Sequence, residues 1–151
     1  MERKNNMNMH HVAIMNKSWK LIPKILSGEK SIESRWYQTK RAPWDRISVG
    51  DTVFFKNAGE PVVAKATVSG VMQFEIRDID DAKRLVKKYG KEICLVNLNP
   101  ATWGKSVRYC ILLRLREAKA IGSPFQIDKK GFGSGAAWIT VQNIKKIEIP
   151  V

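Results

Sequence analysis

Lys30, Glu33 and Arg35 bring an ammonium, a carboxylate and a guanidinium into the octet Gly28-Glu29-Lys30-Ser31-Ile32-Glu33-Ser34-Arg35. Two chemistries suit such a trio. A carboxylate set between two cations offers donors and acceptors to a polar ligand, while a lysine that is desolvated or crowded by other cations gives up its proton and serves as base or nucleophile. Pairing with Glu33 works against the second use, because an adjacent carboxylate favours the charged ammonium. The flanking residues set the positions. Ser18 to Ser27 has the apolar spacing of a short helix (Trp19, Leu21, Ile22, Ile25, Leu26), and Gly28 stands where a helix end needs positive φ. Lys30 then lies in a turn, within reach of either face of a strand that starts at Ser31. On that strand Ser31, Glu33 and Arg35 share one face and Ile32, Ser34 and Trp36 the other, with Glu33 and Arg35 about 7 Å apart.

Gly28, Lys30, Glu33 and Arg35 match the Gly-x-Lys-x-x-Glu-x-Arg signature of ASCH domains, and in these residues the chain resembles that family of the PUA-like superfamily of small β-barrels. An apolar run, Val12 to Met15, and a helix precede the signature. Val49-Gly50-Asp51-Thr52-Val53 follows it and is similar to the Gly-Asp turn by which these domains enter the next strand. The resemblance covers roughly residues 11 to 149 and is firmest over 21 to 74. It implies a preference for RNA. Some small ASCH proteins are amidohydrolases that deacetylate an acetylated cytidine with the motif lysine, a threonine three residues on and a later glutamate. Lys30 matches the lysine, Glu33 occupies the threonine position, and Glu75 and Glu92 are candidates for the later glutamate. A carboxylate is a poor substitute for a hydroxyl nucleophile, so a catalytic role for Lys30 and Glu33 is the alternative reading.

Charge points to the partner class. Lys and Arg number 27 against 14 Asp and Glu, a formal net charge of +13. Such a field concentrates polyanions, and each phosphate neutralised by a lysine or arginine releases counterions. The acids gather in Glu75 to Asp81, leaving Lys17 to Arg46 and Arg108 to Lys130 predominantly basic. Trp36 and Trp44 flank Lys40 and Arg41, a mixture able to stack an unpaired base and hold its backbone. Lys129 and Lys130 open the run Gly131-Phe132-Gly133-Ser134-Gly135, whose backbone amides and lysines suit a phosphate. It lacks the strand-before, helix-after context of a dinucleotide fingerprint and the Gly-Lys-Ser/Thr end of a phosphate-binding Walker loop. Trp19 and Trp138 sit in apolar periodic segments and read as core.

The remaining pattern predicts strands at Val12–Met15, 52–56, 62–74, 93–96, 107–118 and 137–141, with a bulge or bend at Gly70. Asp78 to Tyr89 predicts the clearest helix, capped by Asp78, its first turn acidic, its last turn basic, and stopped by Gly90. Trp36 to Ser48 reads as a basic loop. Arg108, Arg114 and Arg116 make a basic stripe on one strand face.

These elements predict a single-domain α+β protein, a PUA-like mixed β-barrel with two or three helices over residues 11–151, preceded by a flexible tail over 1–10. No run of about 18 apolar residues is present, which argues against a membrane span. The N-terminal segment lacks the apolar core of a secretory signal, and Cys94 and Cys110 lie in apolar runs that suit reduced thiols, so a cytoplasmic location is expected. His10 and His11 have neither a cysteine nor an acid at ligand spacing, so no metal and no cofactor is expected, and no orienting acid for a hydrolase triad is evident. The reading is a nucleic-acid-binding module, for RNA or a nucleotide, with Lys30, Glu33 and Arg35 at a cleft, Lys40, Arg41, Lys129 and Lys130 on phosphates, and Trp44 stacking. The alternative is a small hydrolase acting on a modified nucleoside or on RNA.

Overall fold

Alternating apolar residues become strands throughout the computed structural model, which describes residues 7–101, 103–133 and 135–150. Among these residues the strands are β1 (His10–Met15), β2 (Ile32–Tyr37), β3 (Thr52–Asn57), β4 (Val62–Glu75), β5 (Tyr109–Ile127), β6 (Trp138–Val141) and β7 (Glu148–Pro150). They form one mixed sheet in the order β2-β5-β4-β3-β1-β6, with β7 pairing to the far end of β5. The β1–β3 pair is parallel and the other neighbours are antiparallel. Two α-helices, α1 (Leu21–Ser27) and α2 (Ile79–Ile93), complete an α+β barrel-like domain.

The sheet curls because its two longest strands bend. Between β4 and β5 the register shifts at three places, one of them at Val68/Gly70, where the sequence places a bulge. One face of the curl packs Ala13, Met15, Val53, Phe55, Ile111 and Leu113 against Leu21, Ile22 and Ile25 of α1. On the other face of β2 and β5, Ile32, Cys110 and Leu112 meet Ala82, Tyr89 and Ile93 of α2. Val12, Phe54 and Ile139 turn outward elsewhere and are covered by Phe125, Ile127, Ile144 and Ile147.

Several predicted boundaries move, each for a local reason. The first helix begins at Leu21 instead of Ser18: Lys17–Trp19 is a 3-10 turn and Lys20 is left-handed at φ 54°, which breaks the helical phase. Trp19 is therefore swung off the apolar stripe and is 49% exposed, whereas Trp138 is buried as core. Gly90 does not stop the second helix. It lies buried inside α2, which runs to Ile93 and ends on Cys94 at φ 58°, so the predicted strand at 93–96 is the last turn of a helix and its exit. The predicted 107–118 strand extends to Ile127, and β1 opens at His10, the last residue assigned to the tail.

His11 corrects the expectation that no acid orients it. Its Nε2 lies 2.7 Å from Asp51 Oδ2, and both side chains are fully buried. Trp138 Nε1, which can only donate, reaches His11 Nδ1 at 3.1 Å, so Nδ1 accepts and the proton that binds Asp51 rides on Nε2. Asp51 also accepts from the amides of Met9 and Ser48, at 3.0 and 3.1 Å. One turn residue thus ties β1, the entry to β3 and the preceding loop together. Asp51→Ala strands the His11 and Ser48 donors in the interior and the half-buried Met9 amide beside them, and is expected to cost about 3–5 kcal/mol, read as a lowered urea midpoint.

Candidate functional site

Glu33 draws its two partners onto one carboxylate. Lys30 Nζ is 3.1 Å from Oε1 and Arg35 Nη2 is 2.9 Å from Oε2, with Arg35 Nε also donating to Oε2 at 3.2 Å. Lys30 and Glu33 are 2% and 3% exposed. The ammonium does not end there: it donates to Ile32 O at 2.8 Å and to Ile93 O at 2.5 Å. Ile93 closes α2, so Lys30 satisfies an orphan carbonyl at the negative end of that helix. Arg35 reaches the other way, to Ile14 O at 3.4 Å and Ala137 O at 3.1 Å, with its guanidinium 5.1 Å from the Trp138 ring centre. The trio therefore joins β2, α2, β1 and the residue before β6.

Burial alone would raise the Glu33 carboxyl, but Lys30 and Arg35 outweigh it and hold it below its ordinary 4.5. Burial raises the Tyr37 phenol above its ordinary 10.0 against the pull of Arg35. Each of the three hydrogens of Lys30 has an acceptor, so the amine is committed to the fold.

Above the trio opens a cavity of about 620 Å³, lined by Arg35, Trp19, Trp36, Tyr37, Trp103 and Val96 among others. Its aromatic walls are fixed. Trp36 Nε1 donates to Ser34 Oγ at 3.0 Å, Trp103 Nε1 donates to Asn97 O at 3.1 Å, and the two rings meet edge to face at 4.9 Å. Exposed Trp19 and Val96 form an apolar lip.

The remaining residues named from sequence fall into two further groups. Lys40 lies over the rings of Trp44 and Tyr109, at 6.0 and 5.7 Å, and Arg41 over Tyr37 at 5.7 Å. Since Tyr37 lines the cavity and pairs with Tyr109 across β2 and β5, this group borders the mouth. Trp44 itself packs on Tyr109 at 5.0 Å and against the core beneath the curl, leaving only part of its ring for a ligand. Lys129 and Lys130 sit in the turn after β5 and do not line the cavity. Sequence reasoning missed Trp19 and Trp103 as wall residues. Trp19 was hidden by the left-handed Lys20, and Trp103 lies in a connection without periodicity. Of the arginine stripe, Arg114 pairs with Glu92 at 3.0 Å and Arg108 bonds the carbonyls of Lys105 and Val107. No cluster of three or more His, Cys, Asp or Glu able to hold a metal occurs among the described residues.

A crystal structure of ASCH from Zymomonas mobilis superposes on this architecture with a TM-score of 0.62, at 18% identity over 86% of this chain and 85% of that one. The fold is ASCH-like. A point mutant of the same Zymomonas protein gives 0.66 at 17% identity over 93% of each chain. The N-terminal domain of McrB from Staphylothermus marinus gives 0.52 at 14% identity over 92% of this chain and 91% of that one. No protein-family model matches the sequence, and no curated protein does. At these identities the likeness is one of fold, so the chemistry of this ASCH-like chain rests on its own residues.

Those residues make an ordering testable. Glu33→Gln leaves two buried cations facing each other and is expected to cost about 3–5 kcal/mol in urea denaturation. Lys30→Met leaves the Glu33–Arg35 pair neutral as a unit and is expected to cost less. Because Glu33 titrates lower in the folded state, its contribution is complete above 4.5 and drains as pH falls toward the native value. Glu33→Gln should remove that part of the acid dependence.

Proposed function

We propose that this chain binds single-stranded nucleic acid, RNA by preference, seating one base in the cavity above the Lys30–Glu33–Arg35 trio. The observation that carries the reading is the cavity itself, walled by indoles of which Trp36 and Trp103 are held in place by their own N–H bonds, on a chain of net charge +13. Base stacking on aromatic side chains is tolerant of sequence and strong, about 1–3 kcal/mol per base. Trp19 and Trp36 supply that surface. Lys40 and Arg41, on the exposed border at Tyr37, hold the phosphates of the strand, and Trp44 orients Lys40. Lys30 and Glu33 shape the floor, and Arg35 keeps an edge toward the cavity. The resemblance to ASCH domains supplies the preference for RNA, whereas the charge supports polyanions in general.

The hydrolase alternative asks Lys30 to act as a base while it donates to two carbonyls and a carboxylate. The geometry favours binding. Cys94 and Cys110 are both free thiols, in keeping with a cytoplasmic setting, and among the described residues no helix is long and apolar enough to cross a membrane.

Titrating a labelled single-stranded RNA at several salt concentrations tests the reading. Micromolar or tighter binding with a steep salt slope is expected. Trp36→Ala should weaken it about 5- to 150-fold at every salt, and Lys40→Gln should reduce the slope by about one. Binding that ignores salt, or that both variants leave untouched, sinks the proposal. Turnover of an acylated nucleoside that Lys30→Ala abolishes would revive the hydrolase reading.

A further inference from the structure

The chain leaving α2 borders two hollows. Residues 93–97 line the cavity, and residues 98–100 line a second groove of about 710 Å³, whose other wall is α2 itself. Val86 and Gly90 of the helix face Leu98 and Pro100 across it. The walls come close because Gly90 has no side chain: a Cβ there would meet Leu98 Cδ2 at 3.3 Å. The outer wall is tied down. Pro100 O accepts from the amides of Trp103 and Gly104, at 3.3 and 2.5 Å, and Asn97 O accepts from Trp103 Nε1. Leu98 is nonetheless 60% exposed, so a held segment keeps a large aliphatic side chain in water at the edge of an apolar floor.

The rim of this groove is cationic. Lys83, Lys87 and Lys91 border it at intervals of four residues, so they climb one side of α2 in steps of about 6 Å. Like charges at that spacing destabilise an isolated helix by about 0.2–0.5 kcal/mol per pair. Two acids of the helix are engaged elsewhere: Asp81 with Arg77 and Arg84, and Glu92 with Arg114. Lys83, Lys87 and Lys91 are exposed and form no ion pair among the described residues. A phosphodiester strand satisfies such a row of ammoniums but leaves Leu98 without an apolar partner. An acidic helix satisfies both, because carboxylates four residues apart repeat at the same step of about 6 Å while its apolar stripe faces the floor.

We propose that the groove between α2 and residues 98–100 docks an acidic amphipathic helix of a partner protein. An aliphatic residue of the partner seats on Gly90 and Leu98, and its carboxylates meet Lys83, Lys87 and Lys91. The apolar contact supplies the anchor, and the lysines supply orientation and a fast, salt-sensitive encounter. The groove is separate from the base-accepting cavity and does not rest on the nucleic-acid reading.

The test titrates the full chain with a fluorescein-labelled peptide that carries a Glu-x-x-x-Glu-x-x-x-Glu ladder beside a leucine stripe, read by anisotropy and by the amide resonances of Gly90 and Leu98. Saturable binding that shifts both resonances is expected. The double variant Lys83→Gln/Lys87→Gln, at two exposed positions, should weaken it about tenfold and flatten its salt dependence. Leu98→Ser should weaken it by a similar factor, and Trp36→Ala should leave it unchanged. Absence of saturable binding, or equal affinity in wild type and either groove variant, overturns the proposal. Loss of binding in Trp36→Ala also overturns it, by placing the peptide in the cavity. So does a single-stranded RNA that shifts Gly90 and Leu98 in Trp36→Ala where the peptide shifts neither, since the groove is then a path for the nucleic-acid backbone.

Discussion

The Glu33 carboxylate carries two cations in a place where neither could remain alone. Moving an ion out of water costs several kcal/mol even after relaxation, so Lys30 and Arg35 are tolerable inside only because each shares that carboxylate and also finds backbone acceptors. The return for this cost is spatial. Lys30 fixes the end of α2 against β2, and Arg35 crosses from β2 to β1 and Ala137, where the curled sheet would otherwise present two unpaired margins. A curled sheet of this kind has no ladder across its gap, and a guanidinium fork with its planar donors suits the task in a way an ammonium does not.

This arrangement changes what the motif means. From the sequence, three charged side chains within one turn and strand read as groups held out to a ligand. In the fold they hold the protein to itself, and what they position is a set of indoles around a cavity. The cavity owes its place to the trio because one wall, Trp36, lies on β2 with Glu33 and Arg35, while the opposite side, from Ile93 to Asn97, leaves α2 at the carbonyl that Lys30 binds. Trp36 and Trp103 meet edge to face between the two, at 4.9 Å.

Much of this was legible. Period-two alternation placed β3, β4 and the first half of β5, and Asp78 marked the start of α2 because its side chain caps the Asp81 amide as the pattern requires. The signature residues from Gly28 to Arg35 located the point where helix, strand and barrel margin meet. What was not legible had tertiary causes. Gly90 looks like a stop signal, yet its missing side chain admits Leu98 and Val86 at close range, so the helix continues through it. His11 gained its acid from a residue 40 positions away, a distance at which no spacing rule operates. Trp19 was misplaced by one left-handed residue that sequence gives no reason to expect at a lysine.

Cation placement takes two forms on this surface. Around the cavity the cations lie over rings: Arg41 over Tyr37 and Lys40 over Trp44 and Tyr109, so their charge is oriented by aromatic faces and remains exposed. At Lys56 the side chain is buried, and the charge of Lys129 adds to burial in lowering its ammonium below the ordinary 10.5. The first arrangement leaves the cation mobile, because an exposed ammonium or guanidinium over a ring can shift across its face. The second has a fixed position. An exposed ammonium over a ring keeps its freedom to move, whereas one on a buried stem is fixed to the sheet that joins Ile14 to Lys56.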